Sequence, residues 1–293
     1  MNNSALRASG PRFGFGQNWQ SYAKVIDDCR IQEARASLRD MLGVERLTGK
    51  TFLDIGCGSG LFSLAARELG ATVHSFDVDA DSVQCTKDLR ERYGFGEDSG
   101  WVVEHGSILD HAYLSTLGTH FDVVYAWGVL HHTGALWDAC QNVAGLVASG
   151  GLLFLAIYND QGRPSRGWWW VKYSYNRAPT PMRLVLLAGS YLWMYQIKRL
   201  PLLVTSLARG RLPERVPAPE RGMSAWHDLV DWVGGYPFEV ARPGQVFDFF
   251  CARGFALRRL VTRSGHGNNE FVFERVAPAG DFGAALRSPP TAG

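Results

Sequence analysis

Phe52-Leu53-Asp54-Ile55-Gly56-Cys57-Gly58-Ser59-Gly60 decides the fold. A short apolar run ends in Asp54, and glycines follow at 56, 58 and 60. Beyond them, Leu61 to Leu69 has the apolar spacing of an amphipathic helix, stopped by Gly70. Strand, tight turn and helix in that order open a nucleotide-binding α/β sheet. Glycine lets the backbone approach a ligand, and the helix N-terminus offers unpaired N–H groups. A dinucleotide loop needs Gly-x-Gly-x-x-Gly, whose third glycine falls where this chain has Leu61, so the pyrophosphate fingerprint fails.

Downstream, Thr72 to Phe76 reads as a second strand ending in Asp77-Val78-Asp79, with Asp77 lying 23 residues after Asp54. A carboxylate about 20 residues past a glycine loop sits at the end of strand two, where it can accept the ribose hydroxyls. Asp79 reads instead as a cap for the helix that follows. Gly-x-Gly-x-Gly after an Asp resembles motif I of the class I S-adenosylmethionine-dependent methyltransferases. The resemblance implies S-adenosyl-L-methionine as cofactor, with Asp54 near its methionine ammonium. The turn of Gly56, Cys57, Gly58 and Gly60 would wrap the cofactor, with Cys57 as a small residue that fits. It further implies Asp77 at the ribose, Ser107 and Ile108 beside the adenine, and Val78 and Trp127 among the other cofactor-binding residues. Asp110 either meets the adenine amino group or caps a helix.

The chain has 293 residues, 46% of them hydrophobic, enough to bury one large core. Five scattered cysteines (29, 57, 85, 140, 251) form no Cys-x-x-Cys pair and read as reduced thiols. The first residues lack an apolar stretch and do not read as a signal peptide; a cytoplasmic or peripherally membrane-attached protein is expected. Residues 1–49 read as an arm followed by one helix over 21–42. Residues 50–159 and 240–276 read as the cofactor-binding domain, 160–239 as an insertion and 277–293 as a disordered tail. Alternating strands and helices closed by a hairpin imply a mostly parallel α/β sheet. The resemblance implies the Rossmann-like sheet of seven strands, its last one antiparallel.

Chemistry is expected after the fourth strand, because open α/β sheets bind ligands at the carboxyl ends of their strands. There the chain reads Trp127-Gly128-Val129-Leu130-His131-His132-Thr133. The Asn/Asp-Pro-Pro-Tyr of nucleobase and glutamine methylating enzymes is missing, which argues against amine chemistry of that kind. The segment looks like that of the ubiquinone-biosynthesis O-methyltransferases, where Glu-x-x-Glu-His follows the strand. Here His132 keeps the last position, while Gly128 and His131 replace the acidic ones. A divalent ion bound through those acids is therefore not expected, and no close Asp, Glu or Cys completes a ligand set. Methyl transfer to a hydroxyl needs an aligned acceptor and a group to take its proton, and imidazole is suited to that near neutral pH. His132 is the first candidate and His131 the second; the competing reading is a helix cap or a carbonyl bond at the sheet edge.

Residues 160–222 carry eleven Lys or Arg and three Asp or Glu, a net +8 in a chain of +2. They also hold Trp168-Trp169-Trp170 and a nearly all-apolar run from Leu184 to Ile197, too short to span a bilayer. Such an element lies on a membrane, roofs an apolar pocket or forms a homodimer interface. Aromatic residues among basic ones also suit nucleic acid, but here they cluster in an apolar element and the rest of the chain is acidic, so RNA or DNA is not the expected partner. Trp168, with Asn18 and Trp19 of the arm and His227 and Asp228 near the end of the insertion, are the candidates for acceptor contacts. Together these readings predict methyl transfer to a hydroxyl of a small amphiphilic or aromatic molecule. Alternatives are a sugar or other natural-product hydroxyl or amine, an RNA- or protein-modifying enzyme, and a non-catalytic cofactor-binding module.

Overall fold

In the computed structural model, which describes residues 13–118, 120–196, 225–265 and 267–276, seven strands form one sheet. The chain enters through α1 (Phe15–Ala23) and α2 (Asp28–Leu42). It then alternates β1 (Thr51–Ile55), α3 (Leu61–Glu68), β2 (Thr72–Asp77), α4 (Ala80–Arg92), β3 (Trp101–His105), α5 (His111–Thr116) and β4 (Phe121–Trp127). A 3-10 turn (Leu130–His132), α6 (Leu136–Leu146) and β5 (Val147–Tyr158) follow. Then come α7 (Arg163–Arg177), α8 (Thr180–Tyr191) with a π turn over Leu192–Gln196, α9 (Ala225–Gly234), α10 (Pro243–Cys251), β6 (Phe255–Val261) and β7 (Asn268–Arg275).

The strand order is β3-β2-β1-β4-β5-β7-β6, with β7 antiparallel to both of its neighbours. This is the expected Rossmann-like class I methyltransferase sheet. Its order reverses between β1 and β4, and that reversal opens a crevice at their carboxyl ends. Period-two alternation sends Phe52, Val123, Tyr125 and Phe154 to one face, against α2, α3 and α4. Leu53, Val124, Ala126, Leu153 and Leu155 go to the other face, against α6 and α10. Both faces are covered by helices, so the central strands bury nearly every side chain, as parallel sheets do.

The N-terminal expectation needs correction. In place of an arm and one helix over 21–42 there are two helices, starting at Phe15 and Asp28. The break falls where Asp27 leaves helical geometry and accepts a hydrogen bond from the Arg30 amide at 3.0 Å, a side-chain cap that starts a new helix. A third apolar cluster, Tyr158, Trp168, Tyr175, Leu187, Leu229, Trp232, Val233 and Phe238, joins α7, α8 and α9 to the end of β5. These helices build a roof over the crevice. The tail at 277–293 and the stretch 197–224 lie outside the described residues.

Candidate active site

Glycine geometry shapes the floor of the crevice. Gly56, Gly58 and Gly60 all have positive φ, between +54° and +78°. The amides of Gly56 and Cys57 both donate to the Phe76 carbonyl, at 2.8 and 3.1 Å, which ties the loop to the end of β2. A Cβ on Gly56 would stand 2.5 Å from a Val129 methyl, and one on Gly58 3.0 Å from the Trp19 ring. The loop is thus packed between the segment after β4 and α1. Gly60 does not face the crevice: it starts α3 in a left-handed conformation and packs on Thr86, so its role is structural.

Two carboxylates sit beside this loop. Asp77 accepts from the Gly58 amide at 3.0 Å and from the Asp79 amide at 2.9 Å. Asp54 is buried at the end of a donor chain in which Trp101 donates to Ser75 and Ser63 donates to Asp54. Because Ser63 spends its only proton on Asp54, Ser75 must donate to Ser63. Burial pushes the Asp54 carboxyl up to about 7 and the Asp77 carboxyl up to about 6. Among the described residues, no Lys or Arg is ion-paired with either one. A ligand that brings positive charge and hydroxyl donors would relieve both. S-adenosyl-L-methionine, with an ammonium, a sulfonium and a ribose diol, fits that requirement, and a phosphate-bearing dinucleotide does not.

The loop, Asp54, Asp77, Val78, Ser107, Ile108 and Trp127 all line one cavity of about 960 Å3. Asp79 caps α4, accepting from the Asp81 amide, and also takes the Gly16 amide of α1 at 2.9 Å. Asp110 caps α5 through the amides of Ala112 and Tyr113, which settles its reading as a cap. The far half of the cavity is mostly aromatic: Phe13, Phe15, Tyr158, Trp232 and Tyr236, with His132 and Asp231 among them.

The two histidines part company. His131 is fully buried, accepts from the Tyr158 amide at 3.3 Å and stacks on the Tyr158 ring, with no face on the cavity. It is therefore not available to an acceptor. His132 is half-buried and faces the cavity. Its Nδ1 lies 2.7 Å from the Pro237 carbonyl, which can only accept, so Nδ1 carries the proton and Nε2 carries the lone pair. Burial, and then the charge of Lys172, hold the imidazole down to about 3, so it is neutral in the physiological range.

Of the acceptor candidates, Trp19 lines the cavity. Asn18 does not; its amide donates to Asp231 at 2.7 Å and so links α1 to α9. Trp168 is also misplaced by the sequence reading: it packs edge-on against Trp232 inside the roof cluster. His227 and Asp228 fall on α9, but their side chains lie outside the described residues. One turn further along the same helix, Asp231 and Trp232 do reach the cavity. Sequence reasoning also passed over Lys172, which is wholly buried behind the aromatic half.

Residues 28–184 match a family model described as a methyltransferase domain. A ubiquinone biosynthesis O-methyltransferase of Methylobacterium sp. (strain 4-46) is 31% identical over 121 residues, covering 41% of this chain and 46% of that protein. Its counterpart in Paraburkholderia xenovorans is 34% identical over 116 residues, covering 39% and 46%. The chain spans about half the length of the curated relatives it matches. Among solved structures, magnesium protoporphyrin IX methyltransferase of Synechocystis PCC 6803 is 16% identical with a TM-score of 0.48, covering 84% of this chain and 83% of that one. A methyltransferase of Listeria monocytogenes also has a TM-score of 0.48, at 14% identity, covering 83% and 98%.

Proposed function

The chain belongs to the methyltransferase-domain family, and on that premise we propose that it is an S-adenosylmethionine-dependent methyltransferase acting on an aromatic hydroxyl of a small amphiphilic molecule. One observation carries the reading: His132, its Nδ1 proton fixed by the Pro237 carbonyl, lines the same cavity as the glycine loop and the aromatic residues. The cofactor supplies a methyl carbon made electrophilic by its sulfonium. Asp54 and Asp77 bind its ammonium and ribose, and the loop backbone gives it room. Val78, Ser107 and Ile108 flank the adenine, while Trp127 and Trp19 enclose it. Phe15, Tyr158 and Trp232 hold the acceptor ring and exclude water. His132 accepts the acceptor's hydroxyl hydrogen at Nε2, aims the oxygen and takes the proton as the methyl arrives.

The aromatic lining narrows the acceptor. Phe15, Tyr158 and Trp232 suit a flat phenolic ring better than a sugar or an alkyl alcohol. The roof adds a second preference. Trp170, Leu184, Val185, Leu192 and Trp193 are each more than half exposed, with Arg166, Arg177 and Arg183 on the same helices. An apolar face with basic residues around it suits an anionic membrane surface, from which an amphiphilic acceptor would reach the cavity. No helix among the described residues is long and apolar enough to cross a membrane.

One experiment tests both halves. Methyl-labelled cofactor is offered a short phenol in solution and a long-chain phenol in anionic vesicles. Both should be labelled, and Leu184→Asp with Val185→Asp should reduce transfer to the vesicle-borne phenol about tenfold or more while sparing the soluble one. Label in sugar or RNA controls instead of phenols would overturn the acceptor class. Equal loss on both phenols, with a concentration-dependent dimer that the double variant abolishes, would assign the face to a second copy of the chain.

A further inference from the structure

Lys172 is the most heavily buried charged group of the roof and has no role in the reading above. Its side chain is 0% exposed, and its Nζ lies 4.6, 4.7 and 5.3 Å from the ring centres of Trp232, Phe238 and Tyr158. The ammonium donates to the Trp232 carbonyl. One turn along α7, the Asn176 amide donates to the Gly234 carbonyl at 2.7 Å. Trp232 and Gly234 belong to the last turn of α9, whose carbonyls have no partners within the helix. A cation and an amide from α7 therefore cap the C-terminus of α9, where positive charge is favoured.

What that cap holds in place matters. Gly235 follows directly, its amide bonded to the Asp231 carbonyl at 2.8 Å, and a Cβ there would stand 2.7 Å from His132 Cε1. Two residues on, the Pro237 carbonyl fixes the His132 tautomer. The Tyr158 ring, one wall of the Lys172 cage, also meets the His132 ring at 5.3 Å and 90°. A structural cap needs no buried cation, since burying an ammonium is costly and an apolar residue of similar size packs without that penalty.

We propose that Lys172 is a positioning residue for His132: capping α9, it sets the Gly235–Pro237 turn against the imidazole, so that the Pro237 carbonyl holds the proton on Nδ1 and leaves the lone pair on Nε2. Two positive charges in one poorly solvated pocket repel, so the ammonium keeps His132 unprotonated before the acceptor binds, and the imidazole meets the hydroxyl as a neutral base. The other titratable groups around the pair are His131 from the 3-10 turn, Tyr158 from β5, Asp231 from α9, and Tyr236 and Glu239 from the segment after it. Burial lowers the Lys172 ammonium to about 7 even with Asp231 pulling it upward, so the lysine is charged below neutral pH and about half charged at pH 7. An imidazolium beside a sulfonium would repel the cofactor and offer no lone pair to a hydroxyl. The inference rests on the reading of His132 as proton acceptor.

Histidine-labelled full-length protein, titrated by NMR without cofactor or acceptor, tests it, with His132→Gln used to assign the resonance. Wild-type His132 should show a single Nδ1–H tautomer and stay neutral down to about pH 5. In Lys172→Met its protonation midpoint should rise by about one pH unit or more, the effect of removing a charge from a partly desolvated neighbourhood. Should Lys172→Met not fold, Lys172→Gln gives the same readout. A folded neutral variant with the His132 tautomer and titration unchanged would overturn the proposal. If the midpoint moves yet His132→Gln transfers methyl to a phenol at the wild-type rate, the positioning role stands and the proton-acceptor reading falls.

Discussion

Asp77→Asn is expected to weaken S-adenosyl-L-methionine binding by two to three orders of magnitude. The carboxylate accepts the Gly58 and Asp79 amides and lines the cavity. Two charge-assisted bonds to a ribose diol are worth about 3–5 kcal/mol together, and each 1.4 kcal/mol is roughly tenfold in affinity. Asparagine keeps the shape and one acceptor oxygen, but its amide group opposes either the Gly58 amide or the ribose. Calorimetry on the variant, with a melt to confirm folding, reads the effect directly. Unchanged affinity would remove Asp77 from the cofactor site.

His132→Gln carries the second large effect, on turnover rather than binding. A glutamine can hold the hydroxyl but cannot take its proton, so kcat for a phenolic acceptor should fall about 10²- to 10³-fold. Cofactor affinity should stay within about twofold, because the cofactor half of the cavity lies on the glycine loop and Asp77. The split between kcat and cofactor affinity separates a chemical role from a packing one. Wild-type turnover would make His132 a wall residue only.

Much of this was legible in the sequence, and the illegible parts have physical reasons. The glycine loop could be read because a tight turn between a strand and a helix leaves few residue choices. Asp77 followed from the length of one βαβ unit. Adjacent His131 and His132 could not be told apart by pattern, since a 3-10 turn rotates neighbours by about a third of a circle and only the fold decides which faces the core. Helix α1 was missed because Gly14, Gly16 and Asn18 are poor helix formers; its contacts hold it, with Gly16 bonded to Asp79 and Trp19 packed on Gly58. Lys172 was hidden among eleven basic residues that read together as a solvated rim. Only the fold shows that one of them turns inward, between aromatic rings from β5, α9 and the segment that follows.

The central claim is that a sulfonium nucleoside with an amino-acid tail sits over the glycine loop, its cation against buried carboxylates. Titrating S-adenosyl-L-methionine into the protein, in buffers of different ionisation enthalpy at pH 6.5, tests it most directly. Free Asp54 and Asp77 titrate near 7 and 6, so each holds a fraction of a proton there. Pairing of Asp54 with the ammonium favours its ionised form, so binding must release protons, and affinity must rise as pH goes from 5.5 to 7. One saturable site with that release is the predicted result. No saturable binding, or binding that takes up protons and weakens as pH rises through that range, would contradict the account.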